Sequence, residues 1–472
     1  MTGTFDLGAL RRRLDAAPEA ARLKPVGLQT VVLGDGALGA LPDVVAGLLA
    51  TRGSAGPVAV VSDLTPKRYR SGDLLGVVTD LLASKIAVRG VFVGTPGHNV
   101  HADEETMAKA TRDCEGAACL VAVGSGTVAD IGKVLAATYG LGYVVVQTAN
   151  SVNGFADDRS VLLVNGVKRT SLSKWADALI ADTDVLVEAP VAMNLSGIGD
   201  LSAMFTAPAD WYLATLLGMD DSYSPTAVAL AREQGPALLE AARLVPDADR
   251  KALSQVAAIL TLSGISMGIA NATAPSSGME HAISHLLEMA AVQAGNQAAL
   301  HGSQVGVGSI VASLMWRRVL DELADGGLSR VQVPDPGGAE AEVRAAFSGV
   351  DPSGNMAEEC WRVYERKLRR WARAREQIDM AALQWPSHDR ALRDLLAGPE
   401  ALVAALHSAG APVQFCELTP SVDQDAARWA VASCRFLRDR FSVADMALFL
   451  GIWDESCVDA LLSDAAALGS LA

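Results

Sequence analysis

Cysteine is scarce and unpatterned in this 472-residue chain: Cys114, Cys119, Cys360, Cys416, Cys434 and Cys457 form no C-x-x-C pair and no dense framework. That argues against a disulfide scaffold and fits reduced thiols in a cytoplasmic protein. Long basic runs are lacking too. With 39 basic and 54 acidic residues the formal charge is −15, and the one basic patch, "RKLRRWARAR", reads as a solvated helix face. A nucleic-acid or anionic-membrane surface is therefore not expected. The opening residues, "MTGTFDLGALRRRLDAA", lack the uninterrupted apolar core of a signal peptide, so a cytoplasmic location is expected. Residues 252–279 carry no charge over about the length of a membrane span. Ser, Thr, Asn, Gln and Pro interrupt them, which predicts a buried helix and no membrane insertion. Internal repeats and low-complexity tracts are missing.

Half of the chain is apolar, enough for a sizeable core in two lobes. Between residues 28 and 190 β-branched runs ("QTVVLG", "PVAVVSD", "VRGVFVG", "CLVAVG", "GYVVVQTA", "SVLLVN") alternate with helical segments such as "GDLLGVVTDLLASK". The pattern predicts an α/β lobe, Rossmann-like, with a mostly parallel sheet covered on both faces. Beyond Asp184 the periodicity turns helical. The expected division is an N-terminal extension (1–27), a nucleotide-binding α/β domain (28–190) and an all-helical domain (191–472), with a cleft between the lobes.

"LVAVGSGTVADIGKVLA" is a strand, a small-residue turn and an amphipathic helix. Gly124 and Gly126 admit close backbone approach, and Ser125, Thr127 and the helix-start amides can hold a pyrophosphate. Asp63 ends a strand where an acidic residue commonly receives ribose hydroxyls, which would favour NAD over NADP. "VVVQTANSVNGFADDRS" follows another strand and supplies a loop at the same carboxyl edge of the sheet. In the helical half, Asp200, the pair His281/His285 at helical spacing, and His301 are candidate ligands for an open divalent metal site. Glu280 precedes His281, so the H-E-x-x-H order of a zinc protease is absent.

Together "GDGALGALP", "HADEE", "VGSGTVADIGK", "QTANSVNGFA", "NGVKRTSLSKWADALIADTDVL", "GIGDLSAMFTAPADW", "SSGMEHAISHLLEM", "LHGSQVGVG" and "RDRFSVADMALFLG" resemble, over residues 28–455, the glycerol-1-phosphate dehydrogenase branch of the metal-dependent alcohol dehydrogenase and dehydroquinate synthase-like superfamily. The resemblance implies a dehydroquinate synthase-like fold, NAD(H) or NADP(H), one divalent ion (zinc, nickel or iron), a small polyol or ketone substrate and a homo-oligomer. It further implies Asp200, His281 and His301 as ligands, with His285 facing the site as a catalytic residue that does not bind the ion. Gly124, Ser125, Gly126, Thr127 and Val128 would hold phosphate, and Thr148, Ala149, Asn150 and Ser151 would flank the nicotinamide.

Three matched positions depart from the family's pattern. Asn153 stands where an Asp touches substrate hydroxyls, Asp157 where a small hydroxyl residue is usual beside the nicotinamide, as a cofactor-binding position, and Ala274 where an Arg precedes the E-H pair. Asn153 alters which hydroxyls can be satisfied and Ala274 removes a phosphate-gripping guanidinium, so a substrate other than glycerol-1-phosphate or dihydroxyacetone phosphate is expected unless a cation such as Lys168 or Arg169 compensates. A dehydrogenase, a synthase-like lyase using NAD transiently, and an inactive binding protein are the alternatives. The intact Asp200, His281 and His301 disfavour the last.

Overall fold

A computed structural model describes residues 3–95, 100–324 and 326–471. Chain contacts group them into two compact units. The first comprises Met1–Val164, Lys168–Gly197 and Ala229–Asn271; the second comprises Asn165–Val167, Ile198–Val228 and Ala272–Ala472.

The first unit is built on a seven-stranded sheet. Its strands are β1 (Gly3–Thr4), β2 (Thr30–Gly34), β3 (Val58–Asp63), β4 (Val88–Val93), β5 (Cys119–Gly124), β6 (Gly142–Gln147) and β9 (Ala178–Asp182), in the order β1-β2-β9-β6-β5-β3-β4. All pairings are parallel except β1 with β2. The uninterrupted apolar runs of β5 and β6 are buried at every residue, as central parallel strands must be when both faces are covered. The run "SVLLVN" is a strand, as expected, but it forms β7 (Arg159–Val164) of a separate hairpin with β8 (Val167–Leu172). All of its residues but Ser160 are only partly buried, which those of an inner strand would not be.

Two expected boundaries shift. The N-terminal segment is no appended extension: β1 pairs with β2, and helix α1 (Leu7–Asp15) buries Leu7, Leu10 and Leu14. The helical half is not one domain either. Residues 229–271 join the sheet unit, because helix α4 (Arg250–Ala270) is apolar around its circumference and packs on β2 and β9. At Gly268 a Cβ would lie 2.0 Å from the Trp175 ring, so only glycine lets that indole seat against the helix. Among the described residues α4 alone is long and apolar enough to cross a membrane (mean hydropathy 1.6), and 78% of that window is buried inside the protein, as its interrupted sequence predicts. All six cysteines are free thiols, five of them buried.

The helices α3 (Val191–Ser202), α5 (Met279–Gln293) and α6 (His301–Ala324) carry the candidate ligands. Glycines set their spacing within the second unit. A Cβ on Gly199 would lie 2.2 Å from the Gly302 carbonyl oxygen, and one on Gly308 would lie 2.9 Å from that of Glu280. Backbone therefore touches backbone at both crossings. Gly199→Ala should cost about 1–3 kcal/mol through overpacking, exceeding the ~1 kcal/mol that alanine returns in helix propensity. Gly47→Ala, in the helix Leu41–Arg52 with open space around it, should be neutral or stabilising. Urea unfolding of the two variants checks the contrast.

Candidate metal centre and dinucleotide loops

Each unit presents one candidate constellation. In the second, Asp200 at the end of α3 is 1% exposed, and its Oδ1 lies 3.3 Å from His281 Nε2 and 3.8 Å from His301 Nε2. One ligand atom from each of the three residues falls within 4.8 Å of the others, close enough to share an ion. Each imidazole is held from behind. His281 Nδ1 meets Glu280 Oε1 at 3.1 Å. His301 Nδ1 lies 3.3 Å from Glu288 Oε1 and 3.0 Å from Ser284 Oγ, whose own hydroxyl donates to the His301 carbonyl. A carboxylate can only accept, so both Nδ1 atoms carry the proton and both Nε2 lone pairs are left for an ion, the usual arrangement of a histidine that binds a metal.

Charge points the same way. Burial pulls the His281 pKa down, but hydrogen bonding to Asp200 and Glu280 overrides it and holds it above the ordinary imidazole value. Glu280 is kept below its usual range, since its bond to His281, together with the Gly278 amide, outweighs burial. Two buried carboxylates around one imidazole demand a positive charge, and the donor set suits a divalent ion. Thr206 Oγ1 donates to Glu280 Oε2 at 2.9 Å and completes that carboxylate's partners. Behind it Asp210 accepts from the Met279 and Val443 amides and is pushed up to about 8 by burial and by Glu280.

Ser284 and Glu288 were not singled out from the sequence, and Glu280 entered there only as excluding the zinc-protease order. A signal existed: they share with the histidines a helix whose only charged residues are those two glutamates.

His285 belongs to the same cluster, its ring centroid 5.3 Å from that of His301 and 6.3 Å from that of His281. Its Nδ1 faces Arg438 Nη2 at 3.3 Å. Ala274 is buried in the loop Thr273–Ser277, where two guanidiniums converge. Arg438 donates to Ser277 Oγ, and Arg440 to the Ser277 carbonyl and to Thr273 Oγ1. The positive charge at this loop thus comes from Arg438 and Arg440, while Lys168 and Arg169 stand on β8, with Lys168 acting on Asp130.

In the first unit β5 ends in Gly124 and helix α2 (Gly126–Tyr139) begins after Ser125, which makes no side-chain capping bond. Ser125, Gly126 and Thr127 are partly exposed, and Val128 turns inward against Gly124, where a Cβ would lie 2.5 Å away. The Thr148 amide donates to the Gly124 carbonyl at 3.2 Å, tying the two predicted loops together at the carboxyl edge of the sheet. Ala149 and Ser151 follow, and Ser151 Oγ is buried without a hydrogen-bond partner among the described residues, an atom a ligand would satisfy.

Other predicted residues are structurally engaged. Asn150 is fully buried, accepting from Gln147 and donating from Nδ2 to the Leu253 carbonyl, so its side chain braces the loop. Asn153 Nδ2 donates to Ser263 Oγ at 3.1 Å. Asp157 is the buried counter-ion of Lys133, which also donates to the Gly154 and Arg159 carbonyls. Asp63 closes β3 as expected, and its carboxylate is bonded by Lys67 and Thr65.

Residues 32–190 match the family model described as iron-containing alcohol dehydrogenase. The chain is 32% identical over 263 residues to a glycerol-1-phosphate dehydrogenase [NAD(P)+] of Bacillus licheniformis, a match covering 56% of this chain and 65% of that protein. It is 30% identical over 326 residues to one of Methanospirillum hungatei, covering 67% and 85%. The fold is similar to that of a probable glycerol dehydrogenase from Sinorhizobium meliloti (TM-score 0.58, 17% identity, covering 93% and 98%). The chain belongs to the iron-containing alcohol dehydrogenase family, a family of NAD(P)-dependent alcohol dehydrogenases, and within it resembles the glycerol-1-phosphate dehydrogenases.

Proposed function

We propose that this protein is an NAD(P)- and divalent-metal-dependent dehydrogenase or reductase that interconverts an alcohol and a ketone on a small polyol or polyol phosphate. One observation carries the reading: a buried carboxylate, Asp200, faces two imidazole Nε2 atoms whose other nitrogens are fixed by Glu280 and Glu288. Asp200, His281 and His301 would hold the ion, of the zinc, nickel or iron type. Lewis acidity toward the substrate oxygen is what a divalent ion supplies there. Glu280 and Glu288 fix the orientation of the two imidazoles, and His285 remains beside them to donate a hydrogen bond. In the first unit the Gly124–Val128 turn would take the pyrophosphate, and Thr148, Ala149 and Ser151 would flank the nicotinamide. The protein's own contribution is to hold these groups still while hydride moves.

Two features bear on substrate choice within this class, in opposite directions. Asn153 keeps a donor where a carboxylate would only accept, while Arg438 and Arg440 keep cationic charge at the loop that holds Ala274. The deciding experiment is NADH consumption by zinc-, nickel- and iron-loaded protein over a panel of ketones, with dihydroxyacetone phosphate among them. Stoichiometric oxidation of NADH supports the proposal. If dihydroxyacetone phosphate is the best substrate, Asn153 and Ala274 have not redirected specificity, and a sugar phosphate converted without net NADH turnover would point to a lyase instead.

Cofactor preference follows from Asp63. A carboxylate near the ribose repels a 2′-phosphate, but Lys67 already neutralises part of its charge, so NAD(H) should be preferred by a modest factor. Asp63→Ser should narrow that gap and Lys67→Met should widen it, read as the ratio of kcat/KM for the two cofactors. Equal efficiency with NADPH in the unaltered protein would remove Asp63 from this role.

A further inference from the structure

Three imidazoles crowd this centre, yet only two are oriented to bind an ion, and the difference lies in what touches Nδ1. For His281 and His301 it is a carboxylate. For His285 it is Arg438, whose Nη2 stands 3.3 Å away while Nη1 donates to Ser277 Oγ at 2.6 Å. A guanidinium has donors and no acceptor, so His285 Nδ1 must be the accepting nitrogen and the neutral ring carries its proton on Nε2.

We propose that Arg438 is the positioning residue that sorts the three imidazoles, holding His285 in the Nε2–H form so that this ring donates a hydrogen bond and does not become a ligand. A second donor group exists to be sorted against: His285, Glu288 and His301 also bring ligand atoms within 4.8 Å of one another. In that group Glu288 serves His301 Nδ1 and Arg438 engages the Nδ1 lone pair of His285, whereas Asp200, His281 and His301 keep their facing lone pairs. Reversing the charge at 438 reverses the logic. A carboxylate there would accept a hydrogen bond from Nδ1–H, expose the Nε2 lone pair and make His285 equivalent to its neighbours.

The inference rests on the reading of Asp200, His281 and His301 as ligands, but its first test needs no metal. In full-length, metal-free protein labelled with 15N-histidine, long-range 1H–15N correlations report which ring nitrogen is protonated, about two pH units above the ordinary imidazole value of about 6.5. The His285 resonances are assigned as those lost in His285→Gln. We expect Nδ1 unprotonated in the unaltered protein and in Arg438→Lys, and protonated in Arg438→Glu. On adding zinc, the Nε2 resonances of His281 and His301 should shift in all three proteins, and that of His285 should join them only in Arg438→Glu.

A protonated Nδ1 in the unaltered protein, or a zinc-induced shift of His285 there, would overturn the proposal. So would an unchanged tautomer in Arg438→Glu. If that variant fails to fold, the unaltered protein and Arg438→Lys still decide. Tautomers as expected with no zinc-induced shift at any histidine would uphold the lock and overturn the metal reading, so the two failures are distinguishable.

Discussion

Replacing Asp200, His281 or His301 by alanine is expected to remove the divalent ion and turnover together. In the proposed reading each residue supplies one of three ligand atoms, and two remaining ligands rarely hold a divalent ion against buffer. The loss should be graded by distance from the ion. Glu280→Gln leaves all three ligands but replaces an acceptor-only group at His281 Nδ1 by an amide that can face it either way, and should weaken metal binding by about 10- to 100-fold. His285→Ala should leave the ion in place and lower the rate alone, because Arg438 stands at the His285 Nδ1. Elemental analysis after dialysis, paired with turnover at saturating NADH, separates the three classes. Activity in a protein that holds no metal would end the metal-centre reading altogether.

Asp157→Ser should destabilise the fold by about 3–5 kcal/mol, although serine-like residues are usual at this position in the family. Lys133 is fully buried and Asp157 is the carboxylate bonded to it; burial raises Asp157 against the pull of Lys133, and it pushes Asp130, 3.8 Å from Lys133, up to about 7, which Lys133 only partly offsets. Removing one member of a buried pair leaves the other uncompensated in a low dielectric, whereas removing both leaves no charge to solvate. Lys133→Met/Asp157→Ser should therefore recover most of the loss. Urea denaturation of the two single variants and the double variant measures the coupling. If Asp157→Ser alone proves neutral and NADH affinity collapses instead, Asp157 belongs to the nicotinamide pocket and not to Lys133.

That pair illustrates what sequence could and could not tell. The alternation of apolar strands and helices was legible because burial on both faces of a parallel sheet leaves continuous β-branched runs, and five of the six quoted runs are strands of the main sheet. The sixth, at Ser160–Asn165, carries the same residue types but lies in a partly exposed hairpin, since composition reports burial and not the strand's partner. The Gly124–Thr127 turn and the His281/His285 spacing were legible as local geometry. What was hidden is long-range: Lys133 meets Asp157 across 24 positions, Arg438 meets His285 across 153, and residues 229–271 return to the sheet unit. None of these leaves a periodicity. Asp157, read as a departure near the cofactor, acquires its meaning only from a lysine that local pattern did not connect to it.

The glycine contacts beneath the ligands bear on how the second unit opens in time. Where Gly199 meets the Gly302 carbonyl and Gly308 meets that of Glu280, no side chain intervenes that could swing aside to admit water. Amide protons in α6 near Gly302–Gly308 and in α5 near Glu280 should consequently exchange with solvent only when the unit unfolds as a whole, at the full unfolding free energy. Exposed ends such as the Leu383 region, where that side chain is 80% exposed, should exchange through local fraying. The residues proposed as ligands would then be mounted on the slowest-exchanging part of their unit, so that their spacing persists for as long as the unit stays folded.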